Sequence, residues 1–92
     1  MIVVSDTSPL TALLTVGQSD ILPKLFDEVI VPEAVRVELL RSHPRLPEWL
    51  HVASVKDTTR VKQYLESVDV GEAEAIELAL ELRADRLLID ER

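Results

Sequence analysis

Asp6 closes the apolar run Ile2-Val3-Val4-Ser5, and Asp90 closes the run Leu87-Leu88-Ile89. Each run reads as a short buried strand, so each carboxylate falls at a strand's carboxyl end, the edge where ligands and catalytic groups gather in open α/β sheets. If the two strands lie parallel and near each other, both acids share one edge. Helical periodicity adds a third acid. On the helix expected over 71–84, at about 100° per residue, Ile76, Ala79, Leu80, Ala73 and Ala75 lie within roughly 100° of Glu72. Glu74, Glu77 and Glu81 cluster near the opposite side, which makes Glu72 the acid of the apolar face. Glu38, about 60° from Val35 and about 100° from Leu39 on an earlier helix, lies at the rim of that helix's apolar stripe.

Simpler explanations compete at each position. Asp and Ser ahead of a helix are ordinary N-caps, and strands often end on Asp because Asp favours turns. A Glu in a first helical turn gains about 0.3–1 kcal/mol from the helix dipole, and Glu38 as a surface acid needs no explanation. The dipole does not account for Glu72 lying in the middle of a buried stripe. Desolvating an unpaired carboxylate costs several kcal/mol, so an inward acid needs a base or a metal. Arg83 shares the face but sits three turns away. Glu74 takes the place of Glu72 if the helix boundary shifts. Carboxylates that converge without cysteine, with His43 and His51 lacking metal-ligand spacing, make a hard-oxygen site suited to Mg²⁺ or Mn²⁺ and not to zinc. Such an ion orients a water and neutralises phosphate charge, which points to phosphodiester hydrolysis.

The chain that must position these groups has 92 residues, enough for one small domain spanning 1–92 with little spare stability. Apolar residues make up 47% and aromatic residues only 3% (Phe26, Trp49 and Tyr64 among them), so the core is aliphatic and base-stacking platforms are not expected. The absence of cysteine excludes disulfides, thiolate metal sites and thiol nucleophiles. No leader pattern and no membrane-length apolar stretch is present, so a cytoplasmic protein without membrane contact is expected. With 17 acids against 10 bases the net charge is −7, which argues against a basic nucleic-acid surface, although a divalent cation reverses the local sign at an acid cluster. Lys24, Arg36, Arg41, Arg45 and Arg60 are candidates for guiding RNA, but scattered bases are more often a solvated surface.

A buried helix is expected over 8–16, ended by Gly17, and a second short helix through Ile21, Leu22, Leu25 and Phe26, capped by Ser19 or Asp20. The β-branched run Val29-Ile30-Val31 suits a parallel strand covered on both faces. Pro32 opens a helix over 32–41 with Val35 and Leu39 inward. Residues 43–47 form a proline-broken loop that Trp49 and Leu50 tuck onto the core, and 51–55 alternate weakly as an edge strand. Asp57-Thr58 caps a helix reaching Val68, Asp69-Val70-Gly71 is a turn, and 71–84 is helical. The order of elements predicts an α/β domain around a parallel sheet.

Four segments together resemble the PIN-domain family: the Asp6-Thr7-Ser8-Pro9-Leu10 opening, Val31-Pro32-Glu33-Ala34-Val35 through Glu38-Leu39, Gly71-Glu72-Ala73-Glu74-Ala75-Ile76, and Leu87-Leu88-Ile89-Asp90-Glu91. The resemblance is to a prokaryotic branch close to the toxin ribonucleases of toxin–antitoxin pairs, and it spans essentially the whole chain. It implies a three-layer α/β/α sandwich around a parallel sheet and Mg²⁺- or Mn²⁺-dependent cleavage of single-stranded or structured RNA. Asp6, Glu38, Glu72 and Asp90 match the family's acidic quartet as catalytic and metal-binding residues. Ser8 falls where many members place a polar residue for substrate positioning, and Glu91 is placed to assist at the metal.

Two departures accompany the match. Family members usually carry Asp where Glu72 and Glu74 compete, and the family continues through another strand and helix, so a C-terminally shortened sandwich is expected. Such a chain is a truncated copy, a piece of a longer one, or one that completes its sheet in a homo-oligomer. The implied partners are RNA and an antitoxin protein. An inactive PIN-like domain that only oligomerises or binds an antitoxin-like protein is the alternative from another class, and a phosphatase acting on small phosphoesters is a third.

Overall fold

The computed structural model describes residues 1–89, which form strand β1 (Ile2–Ser5), helices α1 (Thr7–Thr15) and α2 (Ile21–Leu25), strand β2 (Glu28–Pro32) and helix α3 (Glu33–Ser42). Strand β3 (Leu50–Ala53), helices α4 (Thr58–Tyr64) and α5 (Val70–Leu82) and strand β4 (Arg86–Leu88) follow. The strands make one sheet in the order β3-β2-β1-β4, and every neighbouring pair is parallel. Val3 registers with Val29 on one side and Arg86 on the other, while Ser5 registers with Leu88.

Alternation along the two central strands divides the core in two. Val3, Val29 and Val31 face one layer, where they pack with Leu10, Leu22, Val35, Leu39 and Leu50. Val4 and Ile30 face the other, against Ala75 and Leu78 of α5. Both faces are thus covered, as parallel strands rich in β-branched residues require. Helices α1, α2 and α3 supply one outer layer and α5 the other, with α4 packed on α5. The result is the parallel-sheet α/β domain expected from the order of elements, in the three-layer α/β/α form that the family resemblance implies. Among the described residues, no helix is long and apolar enough to cross a membrane.

Several local expectations shift. Of α1 only Leu10 is fully buried, while Leu13 and Leu14 are half-buried and pack against the same core. Gly17 ends α1 at φ 70°, with the Gln18 amide donating to the Leu13 carbonyl and the Gly17 amide to that of Leu14, a Schellman closure. Asp20 stands at the N-cap of α2 but makes no side-chain capping bond, and Pro32 precedes α3 instead of opening it. Helix α4 stops at Tyr64, four residues before Val68. Helix α5 begins at Val70, so Asp69 is its cap and not a turn residue, and it ends at Leu82 because Arg83 adopts a left-handed φ of 52°. Strand β4 lies one residue earlier than 87–89.

Leu39 is fully buried between α3 and the sheet, whereas its neighbour Leu40 is 36% exposed. Leu39→Ala is expected to lose about 2–5 kcal/mol through transfer and cavity terms. Leu40→Ala is expected to stay within about 1 kcal/mol of wild type. Urea denaturation of the two variants checks the contrast.

Candidate active site

Asp6 leaves the sheet at the carboxyl end of β1, between β2 and β4. Its amide donates to the Leu88 carbonyl at 2.9 Å, which continues the β1–β4 ladder by one residue. Its carboxylate then caps α1, with Oδ1 accepting from the Thr7 amide at 2.8 Å. The residue is 5% exposed. Capping and an inward position therefore coexist, because one oxygen of a carboxylate satisfies the cap and the group keeps further acceptor capacity.

Glu38 reaches the same place from the second turn of α3, and the N-terminal turn of α5 closes over both. Gly71 makes that closure possible. A Cβ built on Gly71 would stand 2.7 Å from Glu38 Oε1, 3.1 Å from Asp6 Oδ1 and 3.6 Å from Asp69 Oδ1. Three carboxylate oxygens from three different elements thus surround one point that the glycine leaves empty. Asp69 is held there as the cap of α5, with Oδ1 accepting from the Glu72 amide at 2.9 Å.

The other acids take different positions. Glu72 is half-buried in the first turn of α5, beside Gly71. Glu74 Oε1 accepts from the Ala34 amide at 3.0 Å and so satisfies the start of α3, a terminus whose own cap, Pro32, offers no side-chain acceptor. Ser8 is half-buried in the first turn of α1. Asp90 and Glu91 lie outside the described residues. Glu77, placed by the wheel among the outward acids, is 1% exposed. A single-stripe reading fails on α5 because the helix packs against the sheet, α3 and α4 together. Of the scattered bases, Arg36 is engaged with Glu33 through Nε at 2.9 Å and Arg60 with Glu77 at 3.1 Å.

The sequence reading places Asp69 and Gly71 in a turn and assigns neither a part beside the acids, yet both leave a trace of one. A glycine inside a run of strong helix formers costs about 1 kcal/mol relative to alanine, a loss that close backbone approach explains. The Asp69-x-x-Glu72 spacing is that of a capping box. Among the described residues, no three His, Asp or Glu side chains are grouped to hold a metal ion. The pair Asp6 and Glu38, whose oxygens close in on Gly71 from two sides, nevertheless has the donor chemistry that Mg²⁺ uses, since this ion is commonly held by one or two carboxylates while keeping several waters.

The fold is a parallel α/β/α sandwich with carboxylates gathered at the carboxyl edge of a central strand, the edge at which open α/β sheets place their ligand crevices. A family model described as a PIN domain matches residues 2–92, and the chain belongs to the PIN-domain family. PIN domains are generally nucleases, typically depend on divalent metal ions and generally bind nucleic acid. No curated protein and no solved structure matches the chain significantly.

The crowding at Gly71 makes a sign prediction. Gly→Ala inside a helix ordinarily stabilises by about 1 kcal/mol. Gly71→Ala is expected to lose that gain, because the new methyl meets Glu38 Oε1, and to recover it in a Glu38→Ala background. A double-mutant cycle by urea denaturation is expected to give a coupling of about 0.5 kcal/mol or more; additive effects would show that the two residues do not meet.

Proposed function

We propose that this PIN domain is a metal-dependent endoribonuclease in which Asp6, Glu38, Glu72 and Asp90 hold Mg²⁺ or Mn²⁺. The observation that carries the reading is the meeting of the Asp6 and Glu38 oxygens at the space left by Gly71. A divalent cation held by the carboxylates of Asp6 and Glu38 would supply Lewis acidity toward a phosphodiester and would lower the pKa of a bound water. Asp6 is suited to its part because the Leu88 carbonyl and the Thr7 amide fix its backbone and one carboxylate oxygen before any ligand arrives. Glu38 approaches from α3, and Asp69 steadies the α5 turn that carries Glu72. Ser8, two residues beyond Asp6 in the first turn of α1, is assigned to substrate positioning, and Glu74 and Glu91 are secondary candidates at the metal. The net charge of −7 is compatible with an RNA substrate only if bound cations supply the positive charge locally.

The finer role that accompanies the resemblance belongs to the same proposal: a toxin acting on single-stranded or structured RNA in the cytoplasm, paired with an antitoxin protein and self-associating. Apolar side chains available for association include Val16, Ile21 and Leu25, all at least 48% exposed around the α1–α2 connection.

Cleavage of a mixed RNA pool with Mn²⁺ is expected from the wild type. Asp6→Asn and Glu38→Gln are expected to lower the rate by about 100-fold or more, in line with removal of a transition-state charge stabiliser. Equal rates in wild type and Asp6→Asn would overturn the assignment. Because the acids repel one another without a cation, Mg²⁺ at about 100 times its Kd is expected to add about 2.7 kcal/mol of stability. Thermal scans of Asp6→Asn are expected to lose that increment.

A further inference from the structure

One turn beyond Gly71, Glu74 touches the helix that brings Glu38 to the site. Its Oε1 accepts from the Ala34 amide at 3.0 Å, a half-buried contact between α5 and α3 across 40 residues of sequence. The first amides of a helix have no partner inside it. Pro32, the N-cap of α3, makes no side-chain capping bond, and the Glu33 carboxylate is turned to Arg36 Nε at 2.9 Å. The start of α3 therefore takes a capping acceptor from another helix, and a carboxylate suits that end because the helix dipole is positive there.

Two spacings tie this contact to the acids. Glu38 lies four residues beyond Ala34, one turn along the same face of α3, and Glu74 lies three residues beyond Gly71 on the same side of α5. The helices thus meet twice: at Gly71, where a Cβ would stand 2.7 Å from Glu38 Oε1, and at Glu74, which holds the Ala34 amide. Among the described residues no hydrogen bond or ion pair holds the Glu38 carboxylate, so its place is set by the helix that carries it. Val35 and Leu39 are fully buried and keep α3 on the sheet whether or not its first turn is fastened. What they leave open is rotation of the helix about that stripe. Glu38 stands at the rim of the stripe, and at about 6 Å from the helix axis a rotation of about 10° moves a side chain by about 1 Å. A misplacement of that size can cost about 100-fold in rate.

We propose that Glu74 is a positioning residue: by holding the Ala34 amide it fixes the rotation of α3 and keeps the Glu38 carboxylate against Gly71, beside Asp6. The contact gives Glu74 a part away from the metal, in place of the ligand role for which it is a secondary candidate. The consequence for cleavage rests on the nuclease reading, whereas the mechanical link from Glu74 to Glu38 does not.

Glu74→Ala removes the acceptor, and Glu74→Gln keeps a carbonyl oxygen for the Ala34 amide without the charge. Hydrogen exchange at Ala34 is expected to speed up by about fivefold or more in Glu74→Ala and to stay within about twofold of wild type in Glu74→Gln, with the amides of 29–31 unchanged in both. The stability coupling between Gly71→Ala and Glu38→Ala is expected to fall by about half or more in a Glu74→Ala background, because Glu38 is then free to move off the new methyl. In Mn²⁺-dependent cleavage of RNA, Glu74→Ala is expected to lose about 10-fold or more in kcat, and Glu74→Gln to recover most of that loss. An equal loss of rate in the two variants would make Glu74 a charge at the metal, and an unchanged coupling in Glu74→Ala would break the link to Glu38; either result overturns the proposal. A wild type that cleaves no RNA overturns the nuclease reading alone, and exchange and coupling then decide for Glu74.

Discussion

The closest constraint in this molecule is a missing side chain. Helix α5 has to bring its first turn down onto the carboxyl edge of the sheet, and the space there is already taken by oxygens of Asp6, Glu38 and Asp69. A Cβ at position 71 would stand 2.7 Å from Glu38 Oε1 and 3.1 Å from Asp6 Oδ1, so any other residue there would push the Glu38 carboxylate out of its place. Much of the local arrangement follows from this fit. Asp69 caps the turn, Glu72 is carried beside it, and Glu74, half a turn on, reaches the unsatisfied start of α3. Helices α3 and α5 are thereby joined by polar contacts at the same end of the sandwich where the acids gather.

Helix α5 has a different character along its length. Its first turn joins the acids at the carboxyl edge of the sheet, its middle packs Ala75 and Leu78 on the sheet, and its later turns offer Glu77 to Arg60 and Tyr64 of α4 and Glu81 to the amides of Lys56 and Asp57. Small residues make this possible, since alanines at 73 and 75 let the helix lie close to neighbours on more than one side. A helix surrounded in this way has no single wet face. Charged residues are then tolerated inside only where each finds a partner, as Glu77 does in Arg60 and Tyr64.

That geometry also explains which parts of the molecule were legible in advance. Val29-Ile30-Val31 and Val3-Val4 declare a sheet covered on both faces because β-branched runs have few other uses, and Val35 and Leu39 mark the inner stripe of α3 correctly. The position of Asp6 was readable because it depends on one strand and one helix adjacent in the chain. Glu77 was misplaced because a wheel assumes one apolar stripe, whereas α5 has neighbours on several sides. The role of Gly71 was hidden for a different reason: it depends on Glu38 and Asp6, which sequence leaves far apart. The end of α4 was overextended because a polar, weakly anchored helix gives little periodic signal at its terminus.

The pairing of β1 with β4 has a consequence in time as well as space. Ile2 and Asp85 exchange hydrogen bonds in both directions, the Ile2 amide to the Asp85 carboxylate at 2.7 Å and the Asp85 amide to the Ile2 carbonyl at 2.8 Å, across a separation of 83 residues. The strand that leads into Asp6 is made well before β4. Yet the Leu88 carbonyl that fixes its amide arrives only with β4. Non-local parallel pairing of this kind closes slowly, and at about 5–20 residues per second a growing chain waits several seconds for it. Until then the β4 side of Asp6 is not built, so the acidic edge is completed long after its central residue has left the ribosome's active centre.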